Sequence, residues 1–129
     1  MGTFEAVFAE LRLLQSHLKA AGNRIWYLKE ALALAHQQGQ KETDFLPRRL
    51  IVLKREEQLK MERLLHQLNQ LISTRLDSTF IALDPTDDLK TVNGIRQTIR
   101  YIRNAFAEDL SLDITLARLN STLPGSLKD

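Results

Sequence analysis

Between Phe4 and Ala35 the apolar residues recur at alternating intervals of three and four without a miss: Phe4, Val7, Leu11, Leu14, Leu18, Ala21, Ile25, Leu28, Leu32 and Ala35. This fills the a and d positions of a heptad for more than four repeats. On an α-helix such residues collapse onto one stripe, and the stripe demands a second helix packed along it. The spacing predicts a helix over residues 4–36, with Thr3 as its N-cap and the polar run Gln37, Gln38, Gly39, Gln40 as its end. Gly22 stands beside the stripe, where it weakens the helix by about 1 kcal/mol relative to alanine. Val7, Leu11, Leu14, Leu18, Ile25, Leu28 and Leu32 are therefore the candidate oligomer or partner interface. The stripe alone leaves open whether its cover comes from the same chain or from another.

The rest of the chain repeats the helical pattern. After a short polar connection at 39–44, Pro47 suits the first turn of a second helix over 46–78, since its missing N–H would be unpaired there anyway. The inner face of that helix reads Leu50, Leu53, Met61, Leu64, Leu68, Leu71, Ile72 and Leu76, interrupted at Glu57, where wetter or offset packing is expected. Lys54, Arg55, Glu56, Glu57, Lys60, Glu62 and Arg63 make a dense mixed-charge patch around it. Asp84-Pro85-Thr86-Asp87 reads as a turn, with Asp87 the N-cap of a third helix over 88–110 and Asp88 favourable in its first turn. Its face is Leu89, Val92, Ile95, Ile99, Ile102, Phe106 and Leu110, with Gly94 an interior cost. Ser111 is the expected cap of a last helix over 112–119, with Leu112, Ile114, Leu116 and Leu119 inward, stopped by Pro124 and Gly125.

With 129 residues, five glycines, three prolines and no sustained alternation of apolar and polar residues, the chain reads as a single all-α domain over 1–129. Two helices of about 33 residues would each be about 50 Å long, whereas a compact chain of this length has a radius of gyration of about 14 Å. The expectation is thus an elongated antiparallel hairpin or bundle of two long helices, with the third helix laid along it and a short C-terminal one. So much exposed surface favours self-association, as a homodimer or higher oligomer.

Composition narrows the chemistry. The absence of cysteine excludes disulfides, thiolate catalysis and cysteine-built zinc sites, and fits a reducing, cytoplasmic setting. No apolar run reaches the roughly 20 residues of a membrane span, and Met1 to Glu10 lacks the pattern of a secretory signal, so no membrane partner is expected. His17, His36 and His66 share no helix face at a spacing of three or four, which removes the usual paired-histidine metal site. The adjacent Glu56 and Glu57 diverge on a helix, and no phosphate-binding glycine loop or nucleophile elbow is present. No catalytic residue, cofactor or metal is assigned.

One stretch carries a possible ligand chemistry. Arg96, Arg100 and Arg103 fall at i, i+4 and i+7, with Asn104 close by and Tyr101 beside them. Three guanidinium groups on one stripe can grip phosphates, and the tyrosine can add stacking. The plainer use of the same arginines is pairing with acids of neighbouring helices. The net charge of +2 gives only weak support for a nucleic-acid partner.

The segment Arg103-Asn104-Ala105-Phe106-Ala107-Glu108 resembles the Arg-Asn-x-x-x-His motif of the HEPN superfamily, and Asp109–Asp113 with Leu123-Pro124 is similar to the C-terminal tails of those domains. The resemblance covers about a fifth of the chain. It implies a small helical, usually dimeric domain of the kind found in ribonuclease toxins and mannitol-repressor-like proteins. Glu108 occupies the histidine position, which removes the family's general acid–base group and implies a catalytically silent member. From the residues themselves the leading expectation is a non-enzymatic protein–protein interaction module of adaptor, assembly-factor or chaperone-like kind. It would oligomerise through its seams and dock another protein; a nucleic-acid-binding accessory protein is the alternative.

Overall fold

The computed structural model describes the backbone of residues 2–72, 74 and 85–122, and the side chains of 6–72, 74 and 93–121. Among these residues there are four helices and no strand: α1 (Gly2–Gln37), α2 (Phe45–Leu71), α3 (Pro85–Ala105) and α4 (Leu110–Thr122). The all-α class is as expected. Leu76, Asp84, Pro124 and Gly125 lie outside the described residues, as do the side chains of Phe4, Asp87, Asp88, Leu89 and Val92.

The α1 stripe folds inward. Val7, Leu11, Leu18, Ala21 and Ile25 are buried, and they join Met61, Leu65, Leu68 and Ile72 of the α2 side, Ile95, Ile99 and Ile102 of α3, and Leu112, Leu116 and Leu119 of α4 in one core. Helices α1 and α2 meet at Gly22–Met61 and Arg24–Glu57, and Leu14 and Leu71 line one groove between them, so the partner number falls in α2 as it rises in α1. Against α3 the order is reversed: Gln15 meets Thr98, Asn23 meets Tyr101, and Lys29 lies 5.4 Å from the centroid of the Phe106 ring. Gln58–Asp109 and Glu62–Ser111 likewise run in step between α2 and α4. Helix α1 packs against α2 and α3, and α4 against α2 and α3. The order round the bundle is therefore α1, α2, α4, α3.

The helix ends show why the chain turns where it does. Gly39 takes φ +86°, the left-handed conformation that glycine adopts without steric cost. Its N–H donates to His36 O at 3.0 Å and that of Gln40 to Ala35 O at 3.0 Å, the paired bonds of a Schellman stop. Asp44 Oδ2 accepts from the Lys41 N–H at 2.7 Å, and Asp44 O accepts from Arg48 N, which closes the loop before α2. Pro47 is buried in the first turn of α2.

Five expectations are corrected. Helix α1 begins at Gly2, so Thr3 lies inside it and not at its N-cap. Helix α3 stops at Ala105, short of residue 110: Phe106 still donates to Ile102 O at 3.0 Å and is buried on the same face as Ile102, and the chain then turns, with the Asp109 N–H donating to Phe106 O at 2.9 Å. Leu110 consequently heads α4 with 75% of its surface exposed, instead of closing the α3 face. The cap of α4 is Asp109, whose Oδ1 accepts from the Leu112 N–H at 3.3 Å, while Ser111 Oγ donates across to Glu62 Oε1 at 2.6 Å. With α4 set in this register Ile114 faces outward, although its spacing suggested the core.

Candidate interaction surface

Two kinds of polar contact fix how the outer surface is presented. At Glu57, the α2 residue that interrupts the seam, Oε2 is closed to solvent and stands 3.0 Å from Arg24 Nε, with the geometry of an ion pair and not of a hydrogen bond. Between α1 and α3, Gln15 Nε2 donates to Thr98 Oγ1 at 3.1 Å, and Tyr101 OH donates to Asn23 Oδ1 at 2.8 Å. These contacts set the rotation of α1 about its axis, and with it the face that remains outside.

That outer face is itself patterned. Leu13, Ala20, Tyr27 and Leu34 follow one another at intervals of seven, one residue ahead of the inward line Leu14, Ala21, Leu28, Ala35, of which Ala21 and Ala35 are buried and the two leucines half-buried. Leu13, Tyr27 and Leu34 each leave more than half of their surface in solvent, and Ala20 is half-buried. On α2, Phe45, Val52 and Leu59 repeat the spacing, with Phe45 84% exposed. Large apolar side chains are common singly on surfaces; two outward lines at heptad spacing on adjacent long helices are a pattern. Trp26 stacks edge-on against Tyr27, with centroids 5.2 Å apart and planes at 77°, which restrains the exposed tyrosine ring.

Shallow grooves flank these lines. One, between α1 and α2, is lined by Leu13, Leu14, His17, Gln67 and Leu71, and it is continued beyond His17 by Ala20, Arg24, Lys60 and Leu64. Another, between α2 and α4, is lined by Glu62, His66, Asn69, Thr115 and Arg118.

The candidate residues fall into two sets. Val7, Leu11, Leu18 and Ile25 are closed within the chain's own core, Leu14 packs on its edge, and Leu28 and Leu32 are half-buried. A partner cannot reach the first four without opening the fold. Their expected place in an interface is thus corrected: the stripe is covered by this chain's own helices. The outward line beside it was not singled out from the sequence, although its seven-residue spacing was there to be read. On α3, Arg96 and Arg103 are half-buried, Arg100 and Asn104 are exposed, and all three arginines interact with other groups of the protein. Glu108, at the histidine position of the HEPN-like motif, lies in the turn after α3 and is exposed. Among the described residues no three His, Cys, Asp or Glu side chains gather as a metal site would require, and no helix is long and apolar enough to cross a membrane.

No known protein family, curated protein or solved structure matches this chain.

Proposed function

We propose that this protein is a non-enzymatic helical protein–protein interaction module, of adaptor, assembly-factor or chaperone-like kind, working in the cytoplasm. The observation that carries the reading is the second, outward apolar line on α1, which stands beside a first line whose Val7, Leu11, Leu18, Ala21 and Ile25 are already closed in the core. A helix that had only to fold would gain solubility from polar residues at Leu13, Tyr27 and Leu34. Keeping them apolar stabilises only a state in which something covers them.

The test is molar mass by light scattering over a range of concentrations, together with capture from native extract. The wild type is compared with a Tyr27→Glu/Phe45→Glu variant. Assembly or specific capture that the variant loses, at unchanged helicity, supports the reading. A single-chain mass at every concentration, with an identical captured set for both proteins, rejects it.

A further inference from the structure

We infer that the outer face of α2, from Phe45 to Leu59, is a docking site for an acidic amphipathic helix of another protein. The inference rests on the interaction-module reading and deepens it by naming the partner's chemistry. The turn between α3 and α4 meets α1 at Lys29–Phe106 and α2 at Gln58–Asp109. Beyond that level α1 and α2 run on as a two-helix arm to their own turn at Gly39. Ala35 and Leu50 are buried within the arm, apart from the core that joins all four helices.

Phe45, Val52 and Leu59 are exposed and lie on the side of α2 opposite the buried Leu50 and Met61. Charged residues stand three and four places after each of them: Arg48 and Arg49, Arg55 and Glu56, Glu62 and Arg63. Arg48, Arg49, Arg55 and Arg63 are exposed, and among the described residues none of these four guanidinium groups makes an ion pair or a hydrogen bond. In that they differ from the arginines of α3. The carboxylates nearby are partly used: Glu57 faces Arg24, and Glu62 accepts from Ser111 Oγ. The face therefore offers a narrow apolar line with uncompensated arginines on both edges. Its complement is a helix with its own apolar line flanked by aspartate or glutamate, which arginine grips bidentately.

The pattern favours such a helix over a phosphate-bearing surface. A nucleic-acid backbone would leave Val52 and Leu59 in water. A uniformly anionic membrane surface would meet Glu56 along the line and Glu42 and Asp44 at the tip of the arm, all of them exposed. A peptide can answer each position separately. The line is about 21 Å long, which is small for a lasting union of two folded domains and suits a short, salt-sensitive peptide contact.

The probe is a displayed library of helical peptides of about 20 residues, with leucine at every seventh position and the flanking positions randomised. Selection on the wild type is expected to enrich aspartate and glutamate at the flanks. Selection on the Arg48→Glu/Arg55→Glu variant is expected to enrich lysine and arginine there instead. A selected acidic peptide, followed by fluorescence anisotropy, should bind the variant about tenfold more weakly or worse. Changing its glutamates to lysine should restore binding to the variant. Val52→Asp should lose both peptides, and circular dichroism melts of each variant separate loss of binding from loss of fold. The inference is overturned if the wild type enriches no acidic flanks, or if both proteins select the same peptides. Binding of duplex RNA or phosphatidylserine vesicles as tightly as the selected peptide also overturns it. So does a dimer of the purified chain that Arg48→Glu/Arg55→Glu abolishes, since a second copy would then hold this face. In each of these cases association or capture that Tyr27→Glu/Phe45→Glu removes leaves the interaction-module reading standing. If the chain neither associates nor captures anything, both fail.

Discussion

Gln15 on α1 donates its side-chain amide to the hydroxyl of Thr98 on α3 at 3.1 Å, and that hydroxyl in turn donates to the carbonyl of Gly94 at 2.9 Å. Thr98 is buried among the isoleucines of α3, so this short polar chain lies at the edge of the core, where an unmade hydrogen bond is costly. It also explains an apparent flaw. A methyl group at Gly94 would stand 2.8 Å from Gln15 Nε2, so the glycine is what lets the glutamine lie across the helix.

The consequence is a change of sign. In the wild-type background, Gly94→Ala pushes aside the flexible end of Gln15 and gives up its hydrogen bond to Thr98, so the gain in helix propensity is offset and the net loss should be small, about 0–0.5 kcal/mol. In a Gln15→Ala background the obstacle is gone, and the same substitution should stabilise by about 0.5–1 kcal/mol. Urea unfolding of the four proteins in the cycle measures both numbers. Equal effects in the two backgrounds would show that Gln15 has no part in the need for glycine.

Arg24 and Glu57 form an unequal pair: the arginine side chain is 47% exposed, the glutamate 19%. Removing the arginine strands a carboxylate oxygen that solvent does not reach, so Arg24→Ala should cost about 1–3 kcal/mol. Removing the glutamate leaves only a solvated guanidinium. Glu57→Leu extends the apolar seam of α2 and should be neutral or stabilising by up to about 1 kcal/mol. Chemical denaturation decides it, and a larger loss for Glu57→Leu than for Arg24→Ala would refute the assignment.

Asp109 does two things at the entrance to α4. One carboxylate oxygen caps the helix through the Leu112 N–H, and the other accepts from the Gln58 side-chain amide on α2. Asp109→Ala should therefore lose about 1–2 kcal/mol, with amide exchange quickening first in residues 110–116. Asp109→Asn retains the cap and should recover most of the loss. Ser111→Ala removes only a surface bond to Glu62 and should stay within about 0.5 kcal/mol. If Ser111→Ala proved the more damaging, the cap would belong to the serine after all.

Much of this fold is legible in residue spacing because a heptad forces both the helix and its buried side. The α1 stripe, the isoleucines of α3 and Leu112, Leu116 and Leu119 could all be read in this way. What spacing could not supply is the point where a helix stops for tertiary reasons. Phe106 keeps the α3 period and fills the core beside Gly22 and Lys29, but the chain turns directly after it, and the register of α4 is set by that turn and not by the α3 spacing. Gly22 and Gly94 read as defects because their use lies in residues far along the chain: Met61 Cε stands 3.3 Å from where a Gly22 methyl would be. The surface was the least legible part, since a line of apolar residues next to a stronger line is easily absorbed into it.

The two lines of α1 should separate cleanly under mutation. Leu18 is 1% exposed and sits in the core cluster, so Leu18→Ala should cost about 2–4 kcal/mol through lost burial and the cavity left behind. It should leave association of the protein that remains folded almost untouched, because no partner meets that side chain. Leu34 is more than half exposed, so Leu34→Ala should leave the unfolding midpoint within about 0.5 kcal/mol and weaken association instead. Pairing thermal melts with sedimentation or light scattering on the same samples gives the two readouts side by side. Should Leu34→Ala lower the melting temperature as much as Leu18→Ala, the outer line would be part of the folding core, and a surface-docking role for α1 would have no basis.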